Sequence, residues 1–134
     1  MRNYSLRELP INMKKKILKS SFVISKDASI EKAMGAITDN QRGSVVVVDE
    51  SWHLRGIVSD GDIRRGMLRG ATILTPVSKV VNMNPVTLLK NDSMLKESER
   101  IFEKESSINI LPVVNKDNVL IDVIVRDPQK RKSF

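Results

Sequence analysis

A chain of 134 residues with 40% apolar content, no cysteine and a formal net charge of +7 is long enough to bury one core and too short for two large independent domains. Without cysteine it forms no disulfide and no thiolate zinc site, and nowhere do its apolar residues approach the run of about eighteen that a membrane-spanning helix needs. The positive excess lies in the ends, with Arg2, Arg7, Lys14, Lys15, Lys16 and Lys19 against Glu8 and Arg126, Lys130, Arg131 and Lys132 against Asp127, while the stretch between is close to neutral. Terminal clusters of this kind read as solvated arms or linkers, and one Trp, one Tyr and three Phe leave few rings to stack on bases, which argues against nucleic acid. The first twenty residues are basic and lack the apolar run of a signal peptide, so a soluble cytoplasmic protein with a basic arm over 1–20 and no membrane partner is expected.

After that arm, a polar entry at 25–29 leads into a helical pattern in which Ile30, Ala33, Met34 and Ile37 recur at spacings of three and four, the mark of a core-facing stripe, with Asp27 and Ser29 as cap candidates. The run 45–48 is four valines bounded by polar residues, which suits a buried strand. His53, the only histidine, stands at the next strand entrance beside Trp52; with no second His and no Cys it reads as structural or exposed, not as a metal ligand. Residues 54–58 read as an apolar strand that breaks at Ser59-Asp60-Gly61-Asp62 into a helix carrying Ile63, Arg64 and Arg65.

That break supports two readings. Ser59 or Asp60 can cap the helix, with the acidic first turn complementing its dipole. Alternatively, Ser59 and the backbone N–H groups after it meet a phosphate at the helix N-terminus while Asp62 accepts hydrogen bonds from ribose hydroxyls, with positive charge from Arg64 and Arg65 one turn on. The residues alone favour the capped helix. Adjacent arginines project in different directions, so at most one of them faces a shared cleft. Asp60 and Asp62 have no third ligand nearby and Ser59 no base, so neither a metal site nor nucleophilic catalysis is expected.

Downstream the order repeats. Asp92 and Ser93 stand as caps before a second helical pattern of Met94, Ser98 and Ile101, flanked by Leu95 and Phe102; 111–114 reads as a strand with Pro112 near its start, and 119–125 as another. Two copies of strand, helix, strand, strand, roughly 65 residues apart, imply an α/β (α+β) protein of two halves packed face to face about a pseudo-twofold axis.

The repeat, the Ser/Asp-rich helix entry, the valine strand and the run Gly-Ile-Val-Ser-Asp-Gly-Asp at 56–62 resemble a tandem of cystathionine-β-synthase (CBS) domains, regulatory modules that bind adenosine nucleotides and related ligands. The resemblance implies two β-α-β-β-α repeats, at 21–78 and 79–126, with a basic tail or linker over 127–134. It places Gly56, Ser59 and Asp62 on the family's ribose-and-phosphate motif, with Asp60, Arg64 and Arg65 as further binding candidates, and it implies AMP, ADP, ATP or another nucleotide as a regulatory ligand and a homodimer as the assembly. In the second copy Asp122 stands where the motif has Gly56, Val125 where it has Ser59 and Pro128 where it has Asp62, so a single good nucleotide site is expected, in the first copy.

A narrower likeness extends through 56–70, Thr75-Pro76-Val77 and 81–85, which is similar to CBS pairs preceding a sugar-phosphate nucleotidyltransferase domain of the mannose-1-phosphate guanylyltransferase kind; sugar-phosphate isomerases carry a related Asp-Gly-Asp-Ile-Arg-Arg run. The chain has no Gly-rich phosphate loop, Walker-type loop or dinucleotide fingerprint, so it reads as a non-catalytic regulatory fragment, expected beside a nucleotidyltransferase domain, with a sugar-phosphate isomerase as the alternative. A pure assembly module that senses nothing is the remaining reading.

Overall fold

The computed structural model describes residues 21–127; the arm over 1–20, Pro128 and the cluster Lys130, Arg131 and Lys132 lie outside the described residues. The first half runs β1 (Val23–Ser25), α1 (Ile30–Asn40), β2 (Ser44–Val48), β3 (Leu54–Ser59) and α2 (Asp60–Leu68), and the second β4 (Leu88–Leu89), α3 (Met94–Lys104), β5 (Ile110–Val114) and β6 (Leu120–Val125). Each half forms a three-stranded sheet whose middle strand, β2 or β5, pairs parallel with the strand before the helix and antiparallel with the strand after it. Within the described residues the second half has no counterpart of α2.

The valine run is buried because β2 has a core on each face. Successive side chains of a strand point to opposite sides: Val45 and Val47 pack with Ile30, Ala33, Ile37 and Ile63 under the helices, while Val46 and Val48 pack with Leu54, Ile110, Val114 and Leu120 between the two sheets. In the second half Leu111 and Val113 face α3. Three layers of core result, the central one shared by both halves.

The halves follow one register. Val47 lies opposite Gly56 as Val113 lies opposite Asp122, and the bulges between Val47 and Val48 and between Val113 and Val114 coincide. Each hairpin turn is closed by an acceptor side chain: Asp49 Oδ1 takes the N–H of Ser51 and His53 at 2.9 Å each, and Asn115 Oδ1 those of Asp117 and Val119 at 2.9 and 3.0 Å. Trp52 and Asn118 hold the matching left-handed positions at φ 66° and 63°. Across the pseudo-twofold axis the turns exchange bonds, Leu54 N to Asn118 O at 2.9 Å and Leu120 N to Trp52 O at 2.8 Å, with His53 bridged to Val119.

Four local expectations change. Pro112 sits in the middle of β5, not near its start. Its counterpart Val46 donates its N–H to Phe22 O at 2.9 Å; proline has no N–H to give, and β4 accordingly is two residues long, beginning opposite Val113. Met34 and Leu95 are 41% and 51% exposed, outside the buried stripes of α1 and α3. Ser29 does cap α1, accepting from Lys32 N at 3.2 Å, but Asp27 does not. Ser93 occupies the N-cap position of α3 without a side-chain bond, its own N–H being taken by Asn91 Oδ1 at 2.7 Å.

Candidate functional site

The break between β3 and α2 is built as a reciprocal cap. Ser59 Oγ accepts from Asp62 N at 3.1 Å while Asp62 Oδ2 accepts from Ser59 N at 2.9 Å, satisfying two donors that a helix start otherwise leaves bare. Ser59 Oγ also donates to Asp62 Oδ2 at 2.9 Å, and Arg65 Nη2 donates to Asp62 Oδ1 at 2.8 Å. Capping and binding are thus not exclusive, since each carboxylate oxygen has two lone pairs and Oδ1 retains one for a hydroxyl.

Ser59, Asp62 and Arg65 stand on the wall of a cleft of about 400 Å³ formed by both halves. The turn after α1 contributes Arg42 and Gly43, the start of β2 Ser44, the turn after α3 Ser107, Ile108 and Asn109, and the inter-repeat linker Asn82, Asn84, Pro85 and Val86. The volume is within the range of sites that take small organic ligands. The two turns are tied together by Asn109 Nδ2 donating to Arg42 O at 3.2 Å. Arg42 donates from Nη1 to Asn40 O at 3.2 Å, and its Nε is buried without a partner among the described residues.

Of the six sequence candidates, Ser59, Asp62 and Arg65 come together here; Asp60 and Arg64 are exposed on α2 and do not line this cleft. Gly56 is buried for a different reason. Its φ of +148° and the absence of a side chain admit the linker, whose Asn82 exchanges both backbone bonds with Ile57, at 3.1 and 2.8 Å. A Cβ on Gly56 would collide with Asn82 O and lie 2.7 Å from Val81 Cγ2. The linker has a second docking line, where Ile73 O and Thr75 O accept from Glu31 N and Ile30 N at 2.9 and 2.8 Å, filling the start of α1 with backbone so that no anion can be held there. Sequence reasoning missed Arg42, Asn82 and Asn109. The one local signal was the pair Arg42-Gly43, where Gly43 takes φ +79° to turn the chain into β2.

The second copy offers different chemistry at the corresponding place. Asp122, opposite Val113, is buried, and Arg126, in the position of Asp60, is buried over the Phe102 ring at 4.8 Å and donates to Glu105 O, Ile108 O and Asn109 Oδ1 at 2.7–3.1 Å. An arginine so engaged is a structural tie at the end of α3.

Comparison with known proteins agrees with this fold. Residues 6–69 match the model of the CBS domain. Arabinose 5-phosphate isomerase KpsF of Escherichia coli O6:H1 is 32% identical over 99 residues, covering 73% of this chain and 30% of that protein; the chain spans about 30% of the length of the curated relatives it matches. Among solved structures, a putative acetoin utilization protein of Vibrio cholerae superposes with a TM-score of 0.66 at 26% identity, over 78% of this chain and 76% of that one. A CBS domain protein of Pyrobaculum aerophilum complexed with AMP superposes with a TM-score of 0.59 at 23% identity, over 78% and 79%. With its first half matched in sequence and both halves folded on one plan, the chain is a CBS domain pair.

Proposed function

We propose that this CBS pair is a non-catalytic sensor in which the cleft between the halves binds an adenosine nucleotide and passes its occupancy to an attached enzyme acting on sugar phosphates. The observation that carries the reading is the cluster of Ser59, Asp62 and Arg65 on a cleft that both halves build. Asp62 Oδ1 accepts a ribose hydroxyl, Arg42 and Arg65 supply charge-assisted donors to phosphate, and Ile57, Ile108 and Val86 give apolar surface for a base. Because the walls come from two halves and a linker, a ligand favours the arrangement of halves that closes on it, and only this differential affinity can bias a neighbouring domain.

The enzyme class is read from the relatives, which include arabinose 5-phosphate isomerases. That favours an isomerase over the nucleotidyltransferase; the latter rests on the run 56–70 and the linker pattern alone. The exposed Met34 and Leu95 on the outer helices favour a homodimer, and with it an assembly role alongside sensing.

The test is calorimetry with AMP, ADP, ATP, GTP and a GDP-sugar on the parent chain, on Asp62→Ala and on Ser29→Ala, which loses a helix cap remote from the cleft. Saturable binding that is lost in Asp62→Ala and kept in Ser29→Ala supports the sensor. No binding at millimolar ligand across the panel sinks it and leaves the assembly module.

A further inference from the structure

A second cavity, of about 590 Å³, adjoins the cleft and shares Asp62, Arg65 and Asn82 with it. One wall is the C-terminal half of α2 with Arg65 and Arg69; the other is the linker with Lys79, and Gly66, Gly70 and Ala71 keep side-chain bulk low between them. The only carboxylate on this lining, Asp62, is already bonded to Arg65. Arg69 and Lys79 have no ion-pair partner among the described residues, and both are exposed. Arginines in the last turn of a helix complement its dipole, which accounts for Arg65 and Arg69 without a ligand. It does not account for Lys79, which comes from a separate turn at Val77–Lys79 and lines the same cavity.

We infer that this basic groove is an anion subsite for the part of a ligand that extends beyond the first phosphate: the distal phosphates of a nucleoside di- or triphosphate. The inference rests on the nucleotide reading of the adjoining cleft and adds to it a preference for polyphosphate over monophosphate. Arg65 stands on both linings and joins the two compartments, and Arg69 and Lys79 hold the charge that AMP does not reach. Binding through exposed cations weakens with salt, so the preference falls as ionic strength rises, whereas the AMP contribution from the cleft changes less.

The experiment is titration of the full 134-residue chain with AMP and ATP, without added metal, at low and high salt, repeated on Arg69→Ala, Lys79→Ala and the double variant. Both side chains are exposed, and surface changes of this kind leave stability nearly untouched; thermal unfolding of each variant checks it. The expected result is ATP binding about ten-fold or more tighter than AMP at low salt, a ratio that collapses toward one in the double variant while AMP affinity stays within about two-fold of the parent. AMP binding with no ATP preference, or a preference that survives the double substitution, overturns the anion subsite and leaves the sensor intact. Failure of every nucleotide to bind overturns both.

Discussion

Gly56→Ala tests the idea that the first residue of the motif is a glycine for the sake of the linker and not for a ligand. The added methyl has no room: it meets Asn82 O and Val81 Cγ2 while φ stands at +148°. Holding an alanine there costs about 1–2 kcal/mol of backbone strain, and moving the linker away breaks the two Ile57–Asn82 bonds at about 1 kcal/mol each. The total is about 3–4 kcal/mol, which for a chain of this size lowers the melting temperature by about 10–15 °C. Urea unfolding followed by circular dichroism, with the midpoint converted through the slope, measures it. The variant also loses nucleotide affinity, because Asn82 lines both cavities. A Gly56→Ala chain within about 1 kcal/mol of the parent would refute the steric argument.

Three further outcomes follow from particular contacts. Ser59→Ala removes one arm of the reciprocal cap and costs about 1 kcal/mol in chemical denaturation; an unchanged midpoint would mean that the cap is not formed in solution. Burial raises the Asp49 carboxyl, but the N–H donors of His53 and Ser51 and the charges of His53 and Arg55 outweigh it, so the folded value lies below the ordinary one; the stabilisation is therefore full above the ordinary carboxylate value and is lost as pH falls through the lower folded one. Asp49→Asn, the residue its counterpart Asn115 already is, keeps the acceptor and removes the charge, and the stability gap between parent and variant closes as pH falls through that window; a gap constant with pH would contradict the assignment. Arg126→Ala strips the carbonyls of Glu105 and Ile108 of their buried donor and costs about 2–4 kcal/mol in thermal or chemical unfolding. Arg126 lines neither cavity but holds Ile108 and Asn109, which line the cleft, so nucleotide affinity weakens along with stability; parent-like affinity would mean that this turn does not shape the site.

Much of the fold is legible because it depends on alternation and repeat. Four valines in a row between polar residues demand a strand with a core on both faces, and the second copy at 110–114 then places the shared layer between the sheets. The motif break is legible as a cap for the same reason: Ser59 and Asp62 at that spacing satisfy each other locally. What depends on distant chain is not legible. Nothing near Met34 says that the rest of the chain leaves its side of α1 uncovered, and nothing near Pro112 says that its flanking strand starts one residue late. Asn82, Arg42 and Asn109 reach the cleft only because the linker docks on Gly56 and two remote turns meet, contacts that no periodicity encodes. Gly56 itself shows the limit: its spacing to Ser59 is visible, but the collision that requires glycine comes from a segment some 25 residues away.

Hairpin tips are ordinarily the places where a chain tolerates insertion, because they point into solvent and owe nothing to the rest of the molecule. Here each tip is finished by the other half, Leu54 N on Asn118 O and Leu120 N on Trp52 O. An extra residue at 49–53 would misalign the turn at 115–119 as well, so the two lengths can change only together. Tags, cleavage sites and grafted loops therefore do not belong at these tips, even though on an unfolded reading of the chain they are among its most inviting positions.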